Sequence, residues 1–261
     1  MIDVKLCYFY PKANDFMKKY IPNLITLLNV FCGCVATVFA VANQLEMAAL
    51  FVFLGIFFDF FDGLAARILN VQSELGVQLD SLADMITSGL VPGIVMFQLL
   101  NMANFGSWSE GGSAYSFMSL MDYIPLFGFL ITLGSAYRLA KFNIDENQVS
   151  SFVGLPTPAN ALLILSLALI LQYHDNDTLN GIILNTWFLV FMTILSTYLL
   201  NANIPLFALK FKTWSFKDNA VRYIFIIISA VLLLTLRVLA VPVIIVFYVG
   251  ASLVSNLSEK S

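Results

Sequence analysis

Residues 46–69, EMAALFVFLGIFFDFFDGLAARIL, and residues 76–101, GVQLDSLADMITSGLVPGIVMFQLLN, decide how this chain folds. Each is long and apolar enough for a bilayer-crossing helix, which takes about 20 residues. Only residues 70–75 remain between them for a turn, so the helices are antiparallel neighbours. Yet the pair carries Asp59, Asp62, Asp80 and Asp84, and ionisable groups at membrane depth are costly. Asp59, Asp62 and Ala66 recur at i, i+3 and i+7, one helix face; Asp80 and Asp84 recur at i and i+4, also one face. Four carboxylates therefore converge at one end of a helical hairpin.

The rest of the chain has the same solvent preference. Of 261 residues, 60% are hydrophobic and 11% charged; soluble domains carry roughly 25% charged residues. The expected fold is all-α, a polytopic transmembrane bundle with helices near 24–42, 46–69, 76–101, 122–142, 158–173, 183–201, 222–236 and 238–255. That makes eight spans, or seven if the last two are one, because only Arg237 and Pro242 interrupt their shared apolar stretch. A net charge of -3 excludes a globally basic nucleic-acid binder. Three cysteines, two of them (Cys32 and Cys34) in an apolar run, give neither a disulfide framework nor zinc spacing. The single His174, beside Asp175 and Asp177 in a polar break, reads as a loop residue.

Basic residues set the orientation. Lys5, Lys12, Lys18 and Lys19 precede the first span, Arg67 closes the second, Arg138 and Lys141 close the fourth, and Lys210, Lys212, Lys217 and Arg222 follow the sixth. The alternate breaks, 43–46, 102–121 and 174–182, contain no Lys or Arg. The N-terminus and segments 67–76, 138–157 and 202–222 are therefore expected in the cytoplasm, which puts the four acids at the cytoplasmic end. Residues 1–20 mix Tyr8, Phe9, Tyr10 and Phe16 with four lysines, the pattern of an interfacial helix or of a basic tail. Residues 21–261 are read as a single transmembrane domain. Ala40-Val41-Ala42 resembles a signal-peptidase site, but the preceding apolar segment is long for a leader, so the first helix is read as uncleaved.

Clustered carboxylates cannot all stay ionised without compensation. Hard divalent cations take oxygen ligands, and Mg²⁺ combines one or two carboxylates with substrate phosphates. Gly63 and Ala66 remove bulk from the acidic face, Gly76 does so where the next helix starts, that helix end presents free N–H groups to an anion, and Arg67 adds a cation suited to phosphate. A purely structural set of Asp–Arg pairs would have one arginine serving four acids.

Written out, Asp59-x2-Asp62-Gly63-x2-Ala66-Arg67-x8-Gly76-x3-Asp80-x3-Asp84 resembles the complete signature of the CDP-alcohol phosphatidyltransferases. Three stretches resemble the integral-membrane branch that uses serine: Pro22-Asn23-Leu-Ile-Thr26-Leu-Leu-Asn29 with Phe31-Cys32-Gly33, Arg138-Leu-Ala-Lys141-Phe142-Asn143, and Phe152-Val-Gly154-Leu155-Pro156-Thr157-Pro158. The resemblance covers roughly residues 20–160. It implies phosphatidyl transfer from CDP-diacylglycerol to L-serine, giving phosphatidylserine and CMP. By the same resemblance, Asp59, Asp62 and Asp80 would bind two divalent cations, Mg²⁺ or Mn²⁺, with Asp84 completing the site and acting as general base. Gly63, Ala66 and Gly76 would border the nucleotide, supported by Arg67, and Asn23, Thr26 and Asn29 would close its pocket. Members with phosphorylated acceptors often carry arginine where this chain has Asn29. Arg138, Lys141 and Asn143 would face the acceptor or lipid phosphates, although Lys141 stands where arginine is more usual. Without the family, residues 152–158 read only as a turn. A homodimer is also implied, and the compactness of the chain points to a bacterial cytoplasmic membrane.

Three rival readings are set against this one. Glycerol 3-phosphate or inositol could replace serine. A cation transporter would use the acids as a path, but transporters favour inverted repeats and midplane sites, whereas here the acids lie off-centre in one hairpin. A structural scaffold leaves the four acids unexplained.

Overall fold

In lipid, backbone N–H and C=O groups find partners only in one another, so long apolar runs become helices. The computed structural model describes residues 18, 20–106, 120–144, 152–206 and 219–258. Its helices are α1 (Tyr20–Val41), α2 (Leu45–Ile68), α3 (Glu74–Asp84), α4 (Val91–Phe105), α5 (Phe129–Ile144), α6 (Thr157–Tyr173), α7 (Asp177–Ile183), α8 (Thr186–Asn201), α9 (Ala220–Leu236) and α10 (Ala240–Ser258). A π-helical turn, Met85–Leu90, joins α3 to α4, and a 3₁₀ segment, Leu120–Gly128, leads into α5. The only pairing of extended strands among the described residues is a two-residue antiparallel ladder, β1 (Phe152–Val153) with β2 (Pro205–Leu206).

All eight expected apolar stretches are helical, and the chain is an all-α membrane bundle. Among the described residues, five helical stretches are long and apolar enough to cross a membrane, with Arg222–Val254 counted as one, or six if α7 and α8 count as one span bent by 59°. That bend falls inside the expected 183–201 helix. Asn185 ends the first piece and caps the second, its side chain accepting from the Trp187 and Phe188 N–H groups. Near the C-terminus the Phe225 and Phe247 rings stack 5.7 Å apart. A straight helix would hold them about 33 Å apart. So α9 and α10 form a hairpin that turns at Arg237, where φ is 51°.

The helix from Glu74 to Phe105 occupies the centre: 72% of its apolar window is buried, against 33% for α1 and 28% for α2. Met96, Leu99 and Leu100 from this helix, with Val52, Ile131, Ile164 and Leu165, form the heart of the core. The outer helices turn apolar side chains to lipid, as Phe53, Phe57 and Phe60 do on α2. The inner face of α2 has to come close to its neighbours. A Cβ on Gly55 would sit 2.6 Å from the Thr87 Cγ2 and 2.8 Å from the Asn29 Oδ1, so only glycine lets α1, α2 and the π-turn meet. The turn between α2 and α3 is equally tight. The Val71 N–H donates to the Ala66 carbonyl at 3.0 Å, Asn70 takes φ 53°, and Ser73 caps α3.

Candidate active site

The α2–α3 turn sets the acidic faces of its two helices against each other. One oxygen each from Asp59, Asp62 and Asp80 can be chosen so that all three lie within 4.8 Å of one another. Asp62 is only 5% exposed, and its Oδ2 accepts a 2.6 Å hydrogen bond from the Thr26 hydroxyl of α1. Two ionised carboxylates at that separation repel by roughly 3 kcal/mol at an effective dielectric of 20. A divalent cation among them reverses the sign, and three hard oxygen donors are the set that Mg²⁺ or Mn²⁺ prefers. These residues fit such a metal.

Beside the triad opens a cleft of about 360 Å³. Asn23, Thr26, Asp62, Gly63, Ala66, Arg67, Gly76 and Asp80 line it, eight of the residues singled out from the sequence. A Cβ on Gly63 would meet nothing nearer than the Arg67 Nη2 at 3.7 Å, so the missing side chain leaves room for a ligand rather than for the protein. Arg67 donates from Nε to the Gly63 carbonyl of its own helix at 2.9 Å. This holds a permanent cation at the cleft wall, opposite the acids in charge. Of the N–H groups at the start of α3, that of Gly76 is taken by the helix cap, donating to the Ser73 Oγ at 3.1 Å.

The remaining named residues divide into three groups. Asp84 lies outside the close triad, one turn farther along α3 than Asp80. Its Oδ2 accepts from the Thr157 hydroxyl at 3.4 Å, and its Oδ1 is buried with no hydrogen-bond partner among the described residues. Arg138 of α5 acts electrostatically on Asp84, and its Nε is likewise buried and unpartnered among those residues. Asn29 does not line the cleft. It is fully buried, and its Oδ1 accepts from the Thr87 hydroxyl of the π-turn at 2.7 Å. Lys141 and Asn143 are engaged by other side chains. The Lys141 Nζ donates to the Asn203 Oδ1 at 3.5 Å, while Asn143 braces α3, accepting from Ser81 at 3.0 Å and donating to Gln78 at 3.2 Å. Thr157 is the contact that sequence reasoning missed. A hydroxyl between Pro156 and Pro158 marks a helix start, and nothing in the local pattern points to a partner on α3.

The family model for CDP-alcohol phosphatidyltransferase matches residues 19–199. Several similar proteins bear the name CDP-diacylglycerol–serine O-phosphatidyltransferase. The one from Bacillus subtilis (strain 168) is 33% identical over 153 residues, 57% of this chain and 75% of that protein. The one from Helicobacter pylori (strain ATCC 700392 / 26695) is 33% identical over 156 residues, 59% of each chain. The one from Saccharomyces cerevisiae (strain ATCC 204508 / S288c) is 30% identical over 177 residues, 62% of this chain and 56% of that protein. The chain thus spans three quarters of the first relative and less than two thirds of the other two.

Proposed function

The chain belongs to the CDP-alcohol phosphatidyltransferase family, and on that premise we propose that it transfers the phosphatidyl group of CDP-diacylglycerol to the hydroxyl of L-serine, releasing CMP. The observation that carries the reading is the cleft beside the Asp59–Asp62–Asp80 triad, walled by Gly63 and Arg67. The names of the similar proteins supply the donor and the acceptor.

Asp59, Asp62 and Asp80 would hold the divalent metal, taken as two ions of Mg²⁺ or Mn²⁺ with Asp84 completing the set. Bound there, the metal supplies charge neutralisation for the diphosphate. The chain's own residues do the rest. The cleft takes the nucleotide over the Gly63–Ala66 surface, and Arg67 faces the phosphates. The acyl chains stay in lipid while CDP and serine arrive from water. Asp84 takes the proton of the serine hydroxyl, whose oxygen bonds to the lipid-linked phosphorus as the bond to CMP breaks. Arg138 offers its guanidinium to the acceptor beside Asp84.

The lysine and arginine pattern supports a cytoplasmic N-terminus and a site at the cytoplasmic face, and the bacterial relatives favour a bacterial cytoplasmic membrane. Residues 21–261 are taken as one domain, and a homodimer as the working assembly. The test is CMP release by the purified protein with metal, CDP-diacylglycerol and an acceptor panel. L-serine should give a much higher kcat/KM than glycerol 3-phosphate or inositol. If either matches serine, the acceptor is wrong while the family stands. If no acceptor releases CMP, the activity itself is wrong.

A further inference from the structure

The start of α6 is pinned with unusual economy, and the pinned residue touches Asp84. Gly154 takes φ +75°, and a Cβ there would lie 2.6 Å from the Leu200 carbonyl oxygen and 3.1 Å from that of Ala202. Its N–H donates to the Ile204 carbonyl at 2.9 Å, and the next N–H, of Leu155, donates to the Leu199 carbonyl at 2.8 Å. Leu155 itself is 1% exposed. The two-residue ladder of β1 with β2 closes the same clamp from outside. Pro156 then caps the helix in an extended conformation, and Thr157 is its first residue, 1% exposed. The chain before α6 is thus fastened to the end of α8 by backbone contacts that leave little slack.

What the clamp delivers is one hydroxyl. The Thr157 Oγ1 donates to the Asp84 Oδ2 at 3.4 Å, across 73 residues of sequence. The bond is long for O–H···O, as catalytic hydrogen bonds often are before substrate tightens them. The helix N-terminus behind it adds a partial positive charge on the same side. The other oxygen of Asp84, Oδ1, is buried with no partner among the described residues. The two carboxylate oxygens are thereby made unequal: one is tied to α6, the other keeps its lone pairs.

We propose that Thr157 is a positioning residue for phosphatidyl transfer, holding the Asp84 carboxylate by Oδ2 so that Oδ1 is the oxygen offered to the acceptor hydroxyl. The inference rests on the reading of Asp84 as the general base. Thr157 touches neither the cleft nor the triad, so its loss should act on the transfer step and leave nucleotide binding alone.

Thr157→Val keeps the shape and removes the donor; Thr157→Ser restores the donor. Each is compared with the unaltered protein and with Asp84→Asn for CDP-diacylglycerol binding and for the single-turnover rate with saturating serine and metal. Thr157→Val should lose about ten- to a hundredfold in rate, the scale of a misplaced reacting group, with CDP-diacylglycerol affinity unchanged within about threefold. Thr157→Ser should recover most of the loss. Full rate in Thr157→Val, a serine variant as slow as the valine one, or a parallel fall of binding and rate in both would overturn the inference. If Asp84→Asn is inactive while Thr157→Val is fully active, only this inference fails. If Asp84→Asn is itself fully active, the reading of Asp84 fails and takes the inference with it.

Discussion

The Thr26 hydroxyl on α1 stands 2.6 Å from the Asp62 Oδ2 on α2 and 3.1 Å from the Pro22 carbonyl of its own helix. The one proton is shared unequally, and the carboxylate is the nearer and stronger acceptor. A helix outside the acidic hairpin therefore steadies one of its aspartates. Thr26→Val should destabilise the protein by about 1.5–3 kcal/mol, the worth of a hydrogen bond to a charged group, while Thr26→Ser should cost far less. Thermal unfolding in detergent checks both, and equal melting temperatures for all three proteins would contradict the assignment.

Gly63 separates a ligand cleft from a packing contact. Because a Cβ there meets only the tip of Arg67, Gly63→Val should fold and melt like the parent. It should nevertheless bind CDP-diacylglycerol at least about tenfold more weakly, since the added side chain occupies ligand space. Undiminished binding would remove the nucleotide from this wall.

Gly55 should behave in the opposite way. Its Cβ would collide with Thr87 and Asn29, both held in place by their mutual hydrogen bond. Overpacking of this kind typically costs about 1–3 kcal/mol. Gly55→Ala should lower the melting temperature before it alters substrate affinity, and a variant as stable as the parent would show that the three segments do not meet so closely.

Three carboxylates within 4.8 Å should make activity depend on added divalent metal. Stripping metal with excess chelator should abolish CMP release, and adding back Mg²⁺ or Mn²⁺ should restore it. Metal should also raise the melting temperature of the parent and do so much less in Asp80→Asn. Full turnover in chelator would sink the metal-site reading.

The acids and the cleft wall are legible in the sequence because lipid makes every ionisable residue expensive and helical periodicity assigns it a face. Asp59, Asp62, Asp80, Gly63 and Arg67 come together as that reasoning requires. Asn29 does not; its Oδ1 accepts from Thr87 in the π-turn after Asp84, and no periodicity announces an inserted residue. At the start of α3 the Gly76 N–H is taken by Ser73, three residues earlier, a cap that the local sequence reveals. Thr157 is illegible for a deeper reason. Its partner is fixed by a clamp between residues 152–155 and 199–206, and long-range backbone pairing leaves no trace in the spacing around a helix start.

The division of labour between Asp84 and the triad is the centre of this account. Asp84→Asn keeps the size and a ligand oxygen but loses the basic carboxylate, whereas Asp59→Asn weakens a metal ligand. The decisive measurement is CDP-diacylglycerol binding and single-turnover transfer for both variants at saturating metal. The account predicts near-normal binding in Asp84→Asn with a rate loss of about a hundred- to ten-thousandfold, and weakened metal and substrate binding in Asp59→Asn. Transfer at close to the parent rate by Asp84→Asn would contradict it.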